Sequence, residues 1–398
     1  MTETFDPYAP SSDARYEAMR AARARDGGVV ATPAGWYVAT AAGVLEGLRD
    51  VERFVGSFMD TSALPPDEVM ISAVPEPRHG RIRRVINTVV AAHRTAQAEP
   101  FIRAEAERLV DTALRVHDEH GTVDLVEHVV DPLPSTVIAQ MLGVPLADQA
   151  TFRRWSDELL DAQNSGATGT LSSSHPEFAA YIQALIDARR ADPDPPDDVV
   201  TRFLRTDVDG EYLSDDAIRT QTMFLIVAGN ETTRNLIGNC LHTLACDPGL
   251  YARIRADLAL VPVVVEESLR HDSPVQVLAR AVLADTSIAG CPLHAGERVV
   301  FGLASANRDE RVHDDPDAFR VDRPRPRDHV AFGAGPHVCP GATLARTEAV
   351  AVLDALCARV GALHLAEGFT PAPNPVFWAL GHRSLPVSLR AAGRGRDV

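Results

Sequence analysis

Phe332-Gly-Ala-Gly-Pro-His-Val-Cys339-Pro-Gly341, running on into Ala342-Thr-Leu-Ala-Arg346, carries one cysteine on a glycine-rich turn just before a helix-forming run. Gly333, Gly335 and Gly341 allow the backbone to turn sharply and lie close to a flat partner. His337 and Arg346 can meet carboxylates, and Phe332 can cover one side of the sulfur. A zinc reading fails, because His337 and Cys339 would need two further ligands and none is near. The other cysteines are Cys240, Cys246, Cys291 and Cys357, an odd set of five without metal-like spacings. No disulfide framework is predicted, and a reducing cytoplasm is. A free cysteine is ordinarily buried core. This glycine-rich setting points instead to a lone thiolate acting as the axial ligand of a haem iron.

The chain has 398 residues, 45% of them hydrophobic and 24% charged, with a net charge of −16. That length buries a large core. The acidic balance argues against nucleic acid or anionic membrane as a partner, since phosphates attract basic surfaces. The acidic, polar start Met1-Thr-Glu-Thr-Phe-Asp is no signal peptide, and no 18-residue apolar run exists, so no membrane insertion is expected.

Outward from the cysteine loop, the pattern is mostly helical. Helices are predicted from about Ile82, over Pro100 to His117, Val126 to Leu142, Asp148 to Ala162, Ser214 to Ala245 and Pro262 to His271, with another after the cysteine loop. Strand-like pieces lie near 28–40 and over 277–301. Residues 55–78 read as a long functional loop, and Asn164 to Pro176 as a second loop. No linker or repeat divides the chain, so one domain over 1–398 is expected, mainly α with a minor β-sheet portion.

Four further clusters carry chemistry. Glu267-Ser-Leu-Arg270 places acid and base on one helix face. Taken alone, such a pair is a surface ion pair of a few tenths of a kcal/mol. Ala228-Gly-Asn-Glu231-Thr232-Thr233 interrupts an apolar helix, and Gly229 costs roughly 1 kcal/mol there relative to alanine. An acid beside a hydroxyl at such a point suggests a functional distortion of the helix. His79 and Arg83 are four residues apart on one helical face, otherwise readable as a solvated basic helix start. Arg280 stands in Val277-Leu-Ala-Arg280.

Together these resemble the cytochromes P-450, the haem-thiolate monooxygenases. Phe332 to Arg346 matches the family's Phe-Gly-x-Gly-x-His-x-Cys-x-Gly loop at every fixed position. The motifs come in the family's order and span nearly the whole chain. The resemblance implies the single-domain triangular-prism fold and haem b on Cys339. It implies Phe332, Gly333, Gly341, Ala228 and Gly229 against the haem, with oxygen in a groove by Gly229. It implies His79, Arg83, Arg280 and His337 on the propionates. It implies proton delivery by Glu231 and Thr232, and a structural network of Glu267, Arg270 and Arg323. Dioxygen, a ferredoxin and its reductase would be partners of a monomeric enzyme that hydroxylates or epoxidises a lipophilic small molecule. Arg81, Arg84 and Arg346 are candidates for a basic docking patch. Phe58, Met59, Met70, Phe224, Leu225, Val275, Val277, Leu278, Phe377 and Trp378 are expected to line an apolar pocket. Sterols, terpenoids, fatty acids and secondary metabolites stay open as substrates. A peroxide-using or aromatic-coupling haem-thiolate oxidase and a non-catalytic haem sensor are the alternatives, and the Glu231-Thr232 pair speaks against a peroxide-only enzyme and against a sensor.

Overall fold

One helix, Asp215–Cys246, runs through the middle of the molecule. The computed structural model describes residues 15–56, 61, 63–165, 169–207, 209–370 and 378–392. Ser214 caps this helix by accepting from the Ala217 N–H, and Asp215 and Asp216 suit the positive end of its dipole. A helix that is apolar on several faces packs on several faces. This one touches Gln149–Asn164, Pro176–Ala191, Val261–His271 and Ala342–Arg359. Its first half, including Ile218, Met223 and Ile226, belongs to one buried apolar cluster. Its second half, including Leu236, Ile237 and Leu241, belongs to another. The polar residues Asn230, Glu231, Thr233 and Asn235 lie buried between the two. The chemistry-bearing segment thus sits where the apolar cores meet.

The expected helices are present, with informative shifts. The helix Arg78–Val89 begins before Ile82, so His79 and Arg83 are both helical. Pro100 does not start a helix but lies inside Ala92–His120, a 29-residue helix laid against Ala342–Arg359. The backbone bond that proline forfeits is outweighed by that long contact. The stretch Val126 to Leu142 divides into a π-helical turn, Val126–Val130, and an α-helix, Pro132–Met141. Pro132 lacks an N–H and suits a first helical position. The loop after Asn164 includes a single helical turn, Leu171–Ser174, capped by Thr170.

The strand-like pieces combine into one five-stranded sheet in the order Val29–Thr32, Gly35–Val38, Arg298–Gly302, Val277–Val282, Phe54–Gly56. Only the contact of Gly35–Val38 with Arg298–Gly302 is parallel. Gly56 opposes Arg280. A three-stranded sheet joins Val123–Asp124, Pro386–Ala391 and Val360–Leu365. Among the described residues no helix is long and apolar enough to cross a membrane.

Candidate functional site

The cysteine loop is held by its own backbone. Cys339 N–H donates to the Phe332 carbonyl at 2.9 Å, Gly333 N–H to Val330 at 2.8 Å, and Val338 N–H to Gly335 at 3.1 Å. Gly333 and Gly335 have φ of +73° and +70°, in the left-handed region that glycine favours. At Gly335 a side chain would also strike the Leu48 carbonyl. As a residue Cys339 is half-buried. Burial pushes the Cys339 thiol up, opposed by the Gly341 N–H and by the charges of Arg83 and Arg346. Among the described residues no group of three His, Cys, Asp or Glu could hold a metal ion, so Cys339 offers a single ligand.

In front of this loop the fold gathers cations. The His79 and His337 rings stack with centroids 3.8 Å apart. The Arg83 guanidinium donates to the Val338 carbonyl. Arg280 is buried, and the one hydrogen bond of its guanidinium among the described residues goes to the neighbouring Ala279 carbonyl at 2.9 Å. Burial brings Arg280 down to about 10. Burial, with the charges of His79, Arg280 and Arg83, takes His337 down to about 3, while Glu76 pulls the other way. Glu76 is bound to His79 Nδ1 at 2.7 Å, and His79 Nε2 is buried without a partner among the described residues. One carboxylate thus faces four cationic or donor side chains. Such a surplus calls for added anion, since buried donors and charges cost free energy unless paired.

The central helix presents Phe224, Val227, Ala228, Gly229 and Thr232 as less buried positions in its middle. Nothing lies within 4 Å of where a side chain at Gly229 would begin, so space adjoins the helix there. The expected distortion of this helix is absent: it is continuous from Asp215 to Cys246. Thr232 Oγ1 bonds back to the Ala228 carbonyl at 2.8 Å, satisfying the hydroxyl without breaking the helix. Glu231 is buried. Its Oε2 accepts from Asn164 Nδ2 at 3.3 Å, and its Oε1 has no partner among the described residues. Burial raises the Glu231 carboxyl, against the Asn164 bond and the charge of Arg234.

These surfaces fit a haem. A haem would find here one thiolate ligand, donors for its carboxylates and open space beside Gly229.

Of the expected pocket residues, Phe58, Met59 and Phe377 lie outside the described residues. Met70, Phe224, Val275, Leu278 and Trp378 are half-buried. Leu225 packs into the core cluster around Met223 and Ile226. Val277 is a correction: it is core, packed with Tyr37 and Val300. Strand side chains alternate between faces, so Leu278 and Arg280 share one face and Val277 and Ala279 the other. Sequence reading overlooked Gln221, whose Nε2 donates to the Val69 carbonyl at 2.9 Å while its Oε1 accepts from the Ile71 N–H at 3.0 Å. It fixes the loop carrying Met70 onto the central helix. A lone amide in an apolar helix was its only signal.

The Glu267–Arg270 pair is no surface pair. Both side chains are buried and doubly bonded at 2.8 and 2.7 Å, and Arg323 Nε joins Glu267 at 2.9 Å. Arg346 is withdrawn from any docking patch. It clasps Glu266 at 2.7 and 3.0 Å and lies over the Phe332 ring. Arg81 and Arg84 are already paired with Glu211 and Asp209. Glu266 was missed beside Glu267. Against the upward push of burial, bonds from His329 and Arg346 hold it down at about 2.

Known proteins resemble this chain over most of its length. The family described as Cytochrome P450 matches residues 47–359. A steroid C26-monooxygenase of Mycolicibacterium smegmatis is 33% identical over 87% of this chain and 86% of its own. The structure of cytochrome P450 CYP109Q5 from Chondromyces apiculatus superposes with a TM-score of 0.85 at 33% identity, covering 98% of each chain. CYP109E1 from Bacillus megaterium in complex with testosterone gives a TM-score of 0.80 at 31% identity, covering 96% of this chain and 99% of that one.

Proposed function

The chain belongs to the cytochrome P450 family and is a haem b monooxygenase, and from that premise we propose that Cys339 is its axial thiolate and that it hydroxylates a steroid-sized lipophilic substrate with electrons from a ferredoxin-type donor. The observation that supports the residue assignment is the cluster of four cationic or donor side chains facing a single carboxylate in front of the cysteine loop. Bound haem supplies the oxygen-activating chemistry, favoured by electron donation from the thiolate.

The chain's own residues do the rest. His79, Arg83, Arg280 and His337 hold the two propionates, and charge-assisted bonds to carboxylates are among the stronger hydrogen bonds. Gly333 and Gly341 would let the loop approach a bound haem closely, and Phe332 would shield the sulfur. Gly229 leaves room on the opposite side, and Thr232 presents its hydroxyl there. Glu231, buried and with one oxygen unpaired, passes protons inward, which is ordinary acid catalysis by a positioned group. Burial of Glu231 beside Thr232 supports dioxygen rather than peroxide as the oxidant, because only dioxygen demands both protons. Phe224, Val227, Leu278 and Met70 give the substrate an apolar wall.

A steroid substrate is favoured because a similar protein is named for steroid oxidation and another was crystallised with testosterone. Docking of the electron donor falls to the face around Val338, which is 41% exposed beside Arg83. We place the protein as a monomer in the cytoplasm.

The test is spectroscopic. The reduced, carbon-monoxide-bound holoprotein should show the red-shifted Soret band of thiolate ligation, and Cys339→Ser should lose it. A wild-type protein without that band would refute the assignment. A spectral-shift titration with steroids, terpenes, fatty acids and macrolides should rank steroids first; no response to any steroid would refute the substrate class.

A further inference from the structure

Glu231 is tied to two distant parts of the chain through one amide. Asn164, the last residue of the helix Gln149–Asn164, donates from Nδ2 to Glu231 Oε2 at 3.3 Å. Its Oδ1 accepts from the indole Nε1 of Trp378 at 3.2 Å. Three elements far apart in sequence therefore meet: a helix end, the central helix and the 378–385 segment. That segment is anchored, since Asn239 Nδ2 donates to the Leu380 carbonyl at 3.1 Å and Val275 bridges to Ala379.

The direction of this chain is chemically forced. An indole N–H only donates, so the amide must turn its oxygen towards Trp378. The amide nitrogen then faces Glu231, and an N–H donated to a carboxylate favours the ionised form. If the amide turned round, its nitrogen would face the indole N–H, and its oxygen would face Glu231 and require a proton there. No other hydrogen bond reaches the Glu231 carboxyl among the described residues. Arg234, one turn on, is engaged by Asp131 at 2.8 Å and Asp157 at 3.1 Å. Its charge still favours the carboxylate, and Asp161 opposes it.

We infer that Asn164 is a positioning residue for Glu231 and that Trp378 sets the orientation of its amide, so that docking of residues 164 and 378 onto the central helix fixes the acid as an acceptor. Lifting either segment releases the amide and lets Glu231 take up a proton. The proton-delivery group is thereby coupled to the position of the segments at both ends of the bond chain. The inference rests on the proposed role of Glu231.

The experiment follows Glu231 directly. Infrared difference spectra of the ferric holoprotein are recorded across pH, and Glu231→Gln identifies the carboxyl band. Trp378→Phe keeps the ring and removes only the donor; Asn164→Leu removes the amide. The protonation midpoint of Glu231 should rise by about one pH unit, a tenfold gain in proton affinity, in Asn164→Leu. It should rise by less in Trp378→Phe. Midpoints equal to wild type, or lower, overturn the inference. If Asn164→Leu fails to load haem, Trp378→Phe alone decides. The role of Glu231 is tested separately: if Glu231→Gln leaves product formed per electron pair unchanged, the relay fails even where the midpoints shift.

Discussion

On the helix Val261–His271, both oxygens of Glu266 and of Glu267 are met by donors: Arg327, His329 and Arg346 for the first, Arg270, Arg323 and the Arg320 N–H for the second. In the middle of Asp215–Cys246, Glu231 is met by one amide on one oxygen. Both regions bury acids, yet the first saturates them and the second leaves capacity. Saturation fixes geometry, because every lone pair has a stated direction. Spare capacity leaves a carboxyl that can exchange a proton. The two acids ought therefore to fail differently when removed.

The largest expected effect is on the saturated side. Glu267→Ala strands the buried Arg270 guanidinium and should cost about 3–5 kcal/mol of stability, as loss of one partner of a buried pair does. Denaturant unfolding of the holoprotein measures it through the midpoint at constant slope. A loss below about 1 kcal/mol, the scale of exposed pairs, would show that the network is no more than surface ornament and break the contrast.

Next comes the unsaturated side. Glu231→Gln should leave the unfolding midpoint close to wild type, because its carboxyl holds so little in place. Product formed per electron pair should instead fall on the order of 100-fold, the lower range for a positioned acid. Peroxide assay alongside product assay measures it. A stability loss as large as that of Glu267→Ala would make the two regions alike.

Much of this division was legible in the sequence. Cys339, the glycines at 333 and 335, and the Glu267–Arg270 pair are local in sequence and need only a turn or a helix to be assembled. His79 with Arg83 needs no more. The central helix and the five-residue polar break in it were readable from spacing. What escaped were partners fixed by tertiary approach. Asn164 read as the start of a loop, Trp378 as a pocket wall, and nothing in either neighbourhood marks a bond between them. Glu266 stood in plain view as half of an acidic doublet, but neighbouring residues on a helix point about 100° apart, so each found separate partners. Val277 and Arg280 are three residues apart on one strand and so point to opposite faces. Once Arg280 faces the site, Val277 cannot.

A third acid sharpens the comparison through pH. Glu348, on the helix after the cysteine loop, is buried, its Oε2 has no partner among the described residues, and burial pushes it up to about 8. In the unfolded chain it would ionise in the ordinary carboxylate range, and in the folded protein only near pH 8. Between those values the unfolded state binds fewer protons, so stability falls as pH rises. Glu348→Gln should remove that fall, gaining on the order of 2–3 kcal/mol at pH 7 and nothing near pH 4. Glu266, held at about 2, has the opposite sign: its contribution is present above the ordinary carboxylate range and is lost as pH falls towards 2. Unfolding midpoints of both Gln variants at pH 4 and 7 check the pair of signs. A Glu348→Gln gain equal at the two pH values would mean that packing, not protonation, is responsible.

The smallest effect concerns the sulfur itself. The Gly341 N–H bonds to Cys339, but position 340, the nearest following residue, is proline and brings no N–H. Hydrogen bonds to a ligating sulfur withdraw electron density and tune the metal. Pro340→Ala restores a donor beside the thiolate, and one such bond is worth about 1 kcal/mol. For a one-electron couple that corresponds to a rise on the order of 40 mV in the iron reduction potential. A redox titration of the two holoproteins resolves a difference of that size, and equal potentials would mean that the alanine N–H does not reach the sulfur. A rise would place the cysteine loop between the two designs compared above: fixed in position by saturated neighbours, yet holding a thiolate kept electron-rich by a donor the sequence omits.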